Sequence, residues 1–584
     1  MSSDLERPVS PLLELEALEQ AVRWPNPAPQ TIVALVAQLL GAHRDGEGYA
    51  YFQERAAAAP DRPLFLALQG VFQARLAREV PLVKRPGWIR DALAKLDRAV
   101  DQAPGLTTYF RGVVQAELPS IFRRAEAAVA DLEWVLAHKE RFPVIIRRGV
   151  YRGLAQAYAA LGRRGASADA LRRSGFSSLH ADGPAFLTDY WITADDGFHF
   201  TSPRLAELAP GVHVAQGYDF GDFAFVGTTD GVVVVDAGTT EAHARAALRD
   251  FRAVSDLPIS HAILTHAHWD HIGGLAGLRG PDTEVIAQAN FAQELEVVNG
   301  TALPFRAFLA GQDKPTYAIS PDRLIDRPTT LTVGGVEIGL YPVTGGETTD
   351  GLLVHLPSLG IVFTGDVFMP YLGAPFLPEG SLEGLLDAIR RIRALNPTLL
   401  IHGHTPLTAN FTVEALPGLE AALRELRRFV LDGVREGRTV AELLHANYLP
   451  DVLRDHPAAV NPYLIARNNV VQRLYHQRTG YWKPDGEGVE VFADEEWASA
   501  LDLLGGGKER SFARAARRLA ARGDLALAFR LVELGLRRYP HSSDLATLRR
   551  QTLDGLRERN QQLNPFKFIV YSEWAGAELR PVAL

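Results

Sequence analysis

The sequence contains no cysteine. Disulfides and thiolate metal sites are therefore excluded, and any bound metal must be held by histidine and carboxylate. Basic charge is not in excess: 69 Asp and Glu against 61 Lys and Arg give a formal net charge of -8, so nothing electrostatic marks a nucleic-acid partner. No apolar run is long enough to span a bilayer. The start, Met1-Ser2-Ser3-Asp4-Leu5-Glu6-Arg7-Pro8, lacks the basic and apolar regions of a signal peptide. The expectation is a cytoplasmic protein with no membrane span and no nucleic-acid partner. At 584 residues the chain exceeds one ordinary core, and two or three domains are expected.

Helical periodicity fills both ends. In the first part Leu12, Leu13, Leu15 and Leu18 recur at helix spacing, as do Ile32, Leu35, Leu39 and Leu40. Trp88 to Val100 and Tyr151 to Leu161 read as members of helix pairs, punctuated by Pro104-Gly105 and Gly162-Arg163-Arg164-Gly165. The small residues Ala155 and Ala157 resemble the close packing of tetratricopeptide-type repeats. Residues 1–185 are assigned to a helical domain that packs against its neighbour or offers a peptide groove, and 186–205 to a linker. From Gly211 the period becomes two, with strands at Val212-His213-Val214, Phe223 to Val226 and Val232 to Val235. From Ala415 it is helical again, with Leu419 to Val434 amphipathic and Ser511 to Arg522 and Leu525 to Arg538 joined by a Gly523-Asp524 turn.

The chemistry concentrates in Thr265-His266-Ala267-His268-Trp269-Asp270-His271-Ile272-Gly273-Gly274, directly after the apolar run His261-Ala262-Ile263-Leu264. A strand ending in His-x-His presents both imidazoles at one sheet edge. The Asp-His pair then turns the corner and reaches a second point nearby. This spacing suits two adjacent metal ions, which need nitrogen and oxygen ligands at short range.

This stretch resembles the signature of the metallo-β-lactamase superfamily. The resemblance implies an α/β fold, an αβ/βα sandwich flanked here by N-terminal and C-terminal all-helical domains, with the catalytic domain at 206–412 and a C-terminal domain at 413–584. It implies a dinuclear site holding two Zn²⁺, or other divalent metals, with further ligands at later strand ends. Asp236, after Val232 to Val235, matches a carboxylate that supports the site by hydrogen bonding; a plain cap of the following helix is the alternative. In Thr344-Gly345-Gly346-Glu347 the superfamily usually has a histidine, and Glu347 takes its place. Asp366, ending Gly360 to Asp366, matches the bridging carboxylate, and His404 in His402-Gly403-His404 is the last ligand by motif register. The metal set is thus His266, His268, Asp270, His271, Glu347, Asp366 and His404.

Phe429-Val430-Leu431-Asp432, Gly437-Arg438-Thr439, Leu474-Tyr475, Gly480-Tyr481-Trp482, Arg522-Gly523-Asp524 and Ala577 to Arg580 resemble, in order, the dimerisation domain of the alkylsulfatase branch. That branch also uses Glu at the position of Glu347. The implied function is a metal-dependent hydrolase using a metal-bridging hydroxide on sulfuric esters, a homodimer acting on a small-molecule ester. The alternatives are hydrolysis of a lactone, thioester or phosphodiester, or a helical scaffold without catalysis. Asp270 and Asp366 are the expected catalytic carboxylates. Arg306 and Tyr475 are candidates for binding the anion or protonating the leaving group, and either could instead be a packing or surface residue. The chain departs from the branch in having Asp366 for Glu, no Tyr-x-Asn pair after the metal motif and no Arg shortly after Asp366. The branch usually ends in a lipid-binding domain, and none is expected within these residues.

Overall fold

The computed structural model describes residues 13–576 apart from 43, 140–141, 143–145, 175–178, 180–190, 194–196, 302–314, 369–379, 481–488 and 561–563. The chain opens with helices Leu13–Val22, Pro29–Gly41, Asp45–Ala58, Pro63–Arg75, Arg85–Gln102, Leu106–Glu117, Ala125–Ala137, Arg147–Ala160 and Arg164–Ser174. Proline begins or closely follows the start of three of them, where its missing N–H costs nothing. Neighbours in sequence pack as neighbours in space, as short connections require. Inside the array Asp131 is buried but fully engaged. It receives two bonds from the Arg111 guanidinium, at 2.8 and 2.7 Å, and one from Gln115 at 2.7 Å, which offsets the cost of hiding its charge.

The strands are β1 (Trp191–Thr193), β2 (Gly197–His199), β3 (Arg204–Ala209), β4 (Val212–Gln216), β5 (Phe223–Gly227), β6 (Val232–Val235), β7 (Ile259–Ile263), β8 (Glu284–Gln288), β9 (Arg323–Ile325), β10 (Thr329–Val333), β11 (Val336–Gly345), β12 (Thr348–Leu356), β13 (Ile361–Gly365) and β14 (Leu399–His402). Strands β3 to β9 form one sheet in sequence order and β10 to β14 a second, while β1 and β2 pair alone. β6, β7, β8 and β9 are parallel neighbours, and so are β13 and β14. Their carboxyl ends lie along one edge. At the β10–β11 hairpin Gly334 and Gly335 both take positive φ, 48° and 77°, the turn that matches strand twist and that side chains disfavour.

Alternation along the strands sorts side chains into layers. Val233 and Val235 of β6, Ile263 of β7, Leu352, Val354 and Leu356 of β12, and Ile361 and Phe363 of β13 meet between the two sheets. Val232 and Val234 face the other way, against helices Glu241–Phe251 and Leu275–Leu278. Leu353 and Val362 face outward on the second sheet, against helix Leu382–Ala394. The order helix, sheet, sheet, helix is the αβ/βα sandwich. The outer face of the second sheet shares one continuous core with the N-terminal helices and with helices Leu416–Arg435 and Val460–Arg478. Helices Asp494–Leu504, Glu509–Ala521, Leu525–Arg538 and Ser543–Asn560 enclose a smaller core around Phe512, Val532 and Leu545.

Two features differ from the sequence reading. Residues 186–205, read as a linker, include the β1–β2 hairpin. The first sheet also begins at Arg204, earlier than expected, because β3 is an edge strand with no fully buried residue and so carries weak alternation.

Candidate metal centre

Six of the seven side chains follow the end of a parallel strand, and Glu347 stands between two antiparallel ones. β7 stops at Ile263, and His266 and His268 occupy the loop beyond it, with Asp270 and His271 in the short helix Trp269–Ile272. Glu347 stands in the β11–β12 turn, entered through a register shift between Val343 and Gly345. Asp366 follows β13, and His404 lies two residues past β14. Gly403 is required between them: a Cβ there would stand 2.3 Å from both Asp366 Oδ1 and His271 Cε1.

The structure brings these side chains together as two groups. Asp270, His271, Asp366 and His404 form one and His266, His268 and Glu347 the other, with the ligand atoms of each group within 4.8 Å of one another. Glu347 Oε2 is 3.2 Å from His266 Nε2 and 3.4 Å from His268 Nδ1. His404 Nε2 is 2.9 Å from Asp366 and 3.2 Å from Asp270, and His271 Nε2 is 3.5 Å from both. The rings of His266 and His271, 4.2 Å apart, join the two groups.

Three imidazoles have their outer nitrogen occupied. His271 Nδ1 donates to Asp236 Oδ2 at 2.9 Å, and His404 Nδ1 donates to the Phe220 carbonyl at 2.8 Å. The Thr265 hydroxyl gives its proton to Asp236 at 2.8 Å, so it accepts from His266 Nδ1 at 3.0 Å. Nε2 of each ring is thereby turned to the centre as a lone-pair donor. Asp236 also accepts from the Thr265 backbone at 2.7 Å, and it holds φ = 62°, a left-handed conformation that Asp tolerates better than most residues.

The electrostatics have the same cause. Burial disfavours charge on His404, but Asp366 and Asp270 outweigh it and push its pKa up to about 10. His271 is likewise held well above the usual range against burial, by Asp270, Asp366 and Asp236. Burial works against Asp366 and Glu347 as carboxylates, yet His404 and His271 hold the first well below its ordinary value, and His268 and His266 lower the second. These groups use one another as counter-charges. A divalent cation fits the donors: His266 Nε2, His271 Nε2, Glu347 Oε2 and Asp366 Oδ1 are buried with no hydrogen-bond partner, an expense that coordination would remove.

His402, the alternative neighbour of His404, is turned away. Its Nδ1 meets the Thr364 hydroxyl at 2.6 Å and its Nε2 the Phe411 carbonyl at 2.9 Å. Arg306 lies outside the described residues. Tyr475 is buried in helix Val460–Arg478, edge-on to His476, and belongs to neither group. Residues 217–222, between two strands of the sequence reading, support the centre. Phe220 fixes His404, and Asp222 receives a bond from Thr405 at 2.7 Å and donates its own N–H to Gly403 at 2.7 Å. The density of Asp and aromatic residues in Gly217-Tyr218-Asp219-Phe220-Gly221-Asp222 was the available signal. Phe220 also stacks on Trp269 at 5.6 Å and touches Phe200 and Phe566, building an aromatic wall behind His404.

Residues 217–404 match the family model of the metallo-beta-lactamase superfamily. A linear primary-alkylsulfatase from a Pseudomonas species is 22% identical over 322 residues, 48% of this chain and 60% of that protein. An (R)-specific secondary-alkylsulfatase, also from Pseudomonas, is 23% identical over 52% of each chain. The chain thus spans little more than half the length of these relatives. A hydroxyacylglutathione hydrolase from Ruegeria pomeroyi is 27% identical over 36% of this chain and 71% of its own. Among solved structures, a stereoselective inverting sec-alkylsulfatase from Pseudomonas aligns over 64% of this chain and 66% of that one, with a TM-score of 0.52 and 18% identity. That likeness is one of fold.

Proposed function

We propose that this chain, which carries a metallo-beta-lactamase domain and has alkylsulfatases among its relatives, is a hydrolase of sulfuric esters with a dinuclear divalent-metal centre. The observation that supports it best is the pair of His and carboxylate groups with unpartnered, inward-facing donor atoms. His266, His268 and Glu347 would hold one ion, and Asp270, His271 and His404 the other, with Asp366 between them. Zinc suits a set of nitrogen and oxygen donors without thiolate. Such a pair, when bound, lowers the pKa of water towards neutrality and offsets negative charge developing on ester oxygens.

The chain's own residues do the rest. Asp236 holds His271 and, through Thr265, His266 in one tautomer. Phe220 does so for His404. Asp270, whose Oδ2 lies among the ring nitrogens, would receive the proton that an attacking water gives up. The wall of Phe200, Phe220, Trp269 and Phe566 keeps water from the back of His404. The helical regions at 1–185 and 413–584 are proposed as domains packed on a catalytic one at 206–412, with the C-terminal one joining two copies. No described helix is long and apolar enough to cross a membrane.

A thioester substrate is the second reading, favoured by the matches to hydroxyacylglutathione hydrolases. Zinc-supplemented protein assayed against short alkyl sulfates, dodecyl sulfate, an acylglutathione, a lactone and a phosphodiester decides between them. Turnover of sulfate esters above the others supports the first reading, and preference for the acylglutathione overturns it.

A further inference from the structure

Asp350 is the most isolated charge near the centre. It lies on β12, three residues after Glu347, and none of it is exposed. It shares strand parity with Leu352, Val354 and Leu356, which face the core between the sheets, so its carboxylate caps that apolar layer at the edge where the ligands stand. Neither oxygen has a hydrogen-bond partner, although the Thr348 hydroxyl is near enough to favour the ionised form. Burial pushes its carboxyl up to about 6; His266 and His268 pull it back, and Glu294 adds repulsion. Glu294 is itself committed, accepting from the backbone and hydroxyl of Thr349. Among the described residues, no Lys or Arg is one of the groups that act most strongly on Asp350.

The two halves of the centre are unequal in charge. The group of four contains two carboxylates, Asp270 and Asp366, and the group of three only Glu347. With Asp366 shared between the halves, two divalent cations would bring four positive charges against three negative ones from Asp270, Asp366 and Glu347. The second half, with Glu347 alone as its own carboxylate, is the one left short, in a buried place where unbalanced charge is costly. Asp350 stands beside that second half, carrying a negative charge whose counter-charges among the described residues are His266 and His268 themselves.

We infer that Asp350 is an electrostatic positioning residue of the His266–His268–Glu347 half, supplying the second negative charge that a divalent cation there requires. This rests on the reading of the two groups as cation sites. It acts through its charge beside the histidines and without hydrogen bonds, which is why both oxygens are left bare on an apolar floor. Such a residue weakens the fold when the ion is removed and strengthens the site when it is present. A carboxylate kept for packing would do neither.

The test is titration of full-length, metal-stripped protein with Zn²⁺ against a competing chelator, together with thermal melting in excess chelator. Wild type, Asp350→Asn and Asp350→Leu are compared. The inference expects wild type to take up two equivalents. Both variants should bind one equivalent about 10- to 100-fold more weakly and the other unchanged, as loss of an outer partner does at metal sites, and should melt in chelator no lower than wild type. Two equivalents bound by both variants with wild-type affinity overturns it. So does a variant that melts lower in chelator and loses both equivalents together, which marks a packing role. Wild type binding fewer than two equivalents instead overturns the two-site reading, and this inference with it.

Discussion

Asp236 and His271 are joined by a 2.9 Å bond from imidazole Nδ1 to carboxylate Oδ2, and both are buried. The same carboxylate holds the Thr265 backbone and hydroxyl, so one side chain at the end of β6 orients two histidines after β7. Asp236→Asn keeps the volume but can no longer accept from all three donors. Its zinc affinity should fall about 10- to 100-fold. Competition with a chromogenic chelator measures this, and an unchanged affinity would show that backbone placement alone aligns the rings.

Glu347, proposed as the ligand that takes a histidine's place, faces His266 and His268. Glu347→Ala should lose one metal equivalent and most turnover, while Glu347→His should keep the metal and part of the activity. Full metal content and full turnover in the Ala variant would remove Glu347 from the centre.

His402 supplies a pH dependence of its own. Burial pushes its pKa down to about 4, against about 6.5 in the unfolded chain. Between those values the unfolded state binds the extra proton, so stability is full above pH 6.5 and is lost as pH falls towards 4. The shift corresponds to roughly 3 kcal/mol. His402→Asn, compared with wild type in denaturant melts with metal chelated, should be less stable at pH 7 and close the gap by pH 4. A gap that stays constant across this window would contradict the assignment.

The seven clustered side chains could be found in the sequence because their spacing is local. Four lie within six residues, and each of the others ends a run of strand period. Register alone favoured His404 over His402, and the structure gives the reason in the two bonds that turn His402 towards Thr364 and Phe411. The supporting residues were less legible. Phe220 touches His404 across 184 positions, and an isolated Asp350 after a ligand has no spacing signature. The edge strand β3 shows no clean buried face, so its alternation in the sequence is weak. Tyr475 is buried in helix Val460–Arg478.

Helix Asp494–Leu504 and the segment before it expose Val491, Phe492, Trp497, Leu503 and Leu504, apolar side chains of the kind that association covers. If this surface joins two copies, light scattering at micromolar concentration should give twice the chain mass, and Trp497→Glu with Leu504→Glu should halve it. A wild-type monomer would contradict the dimer.

The most direct test of the account is the metal content of the purified chain. Zinc-supplemented expression followed by elemental analysis should give close to two equivalents of divalent metal per chain, mostly zinc, falling to about one in Glu347→Ala. Trace metal in the wild type would contradict the dinuclear centre.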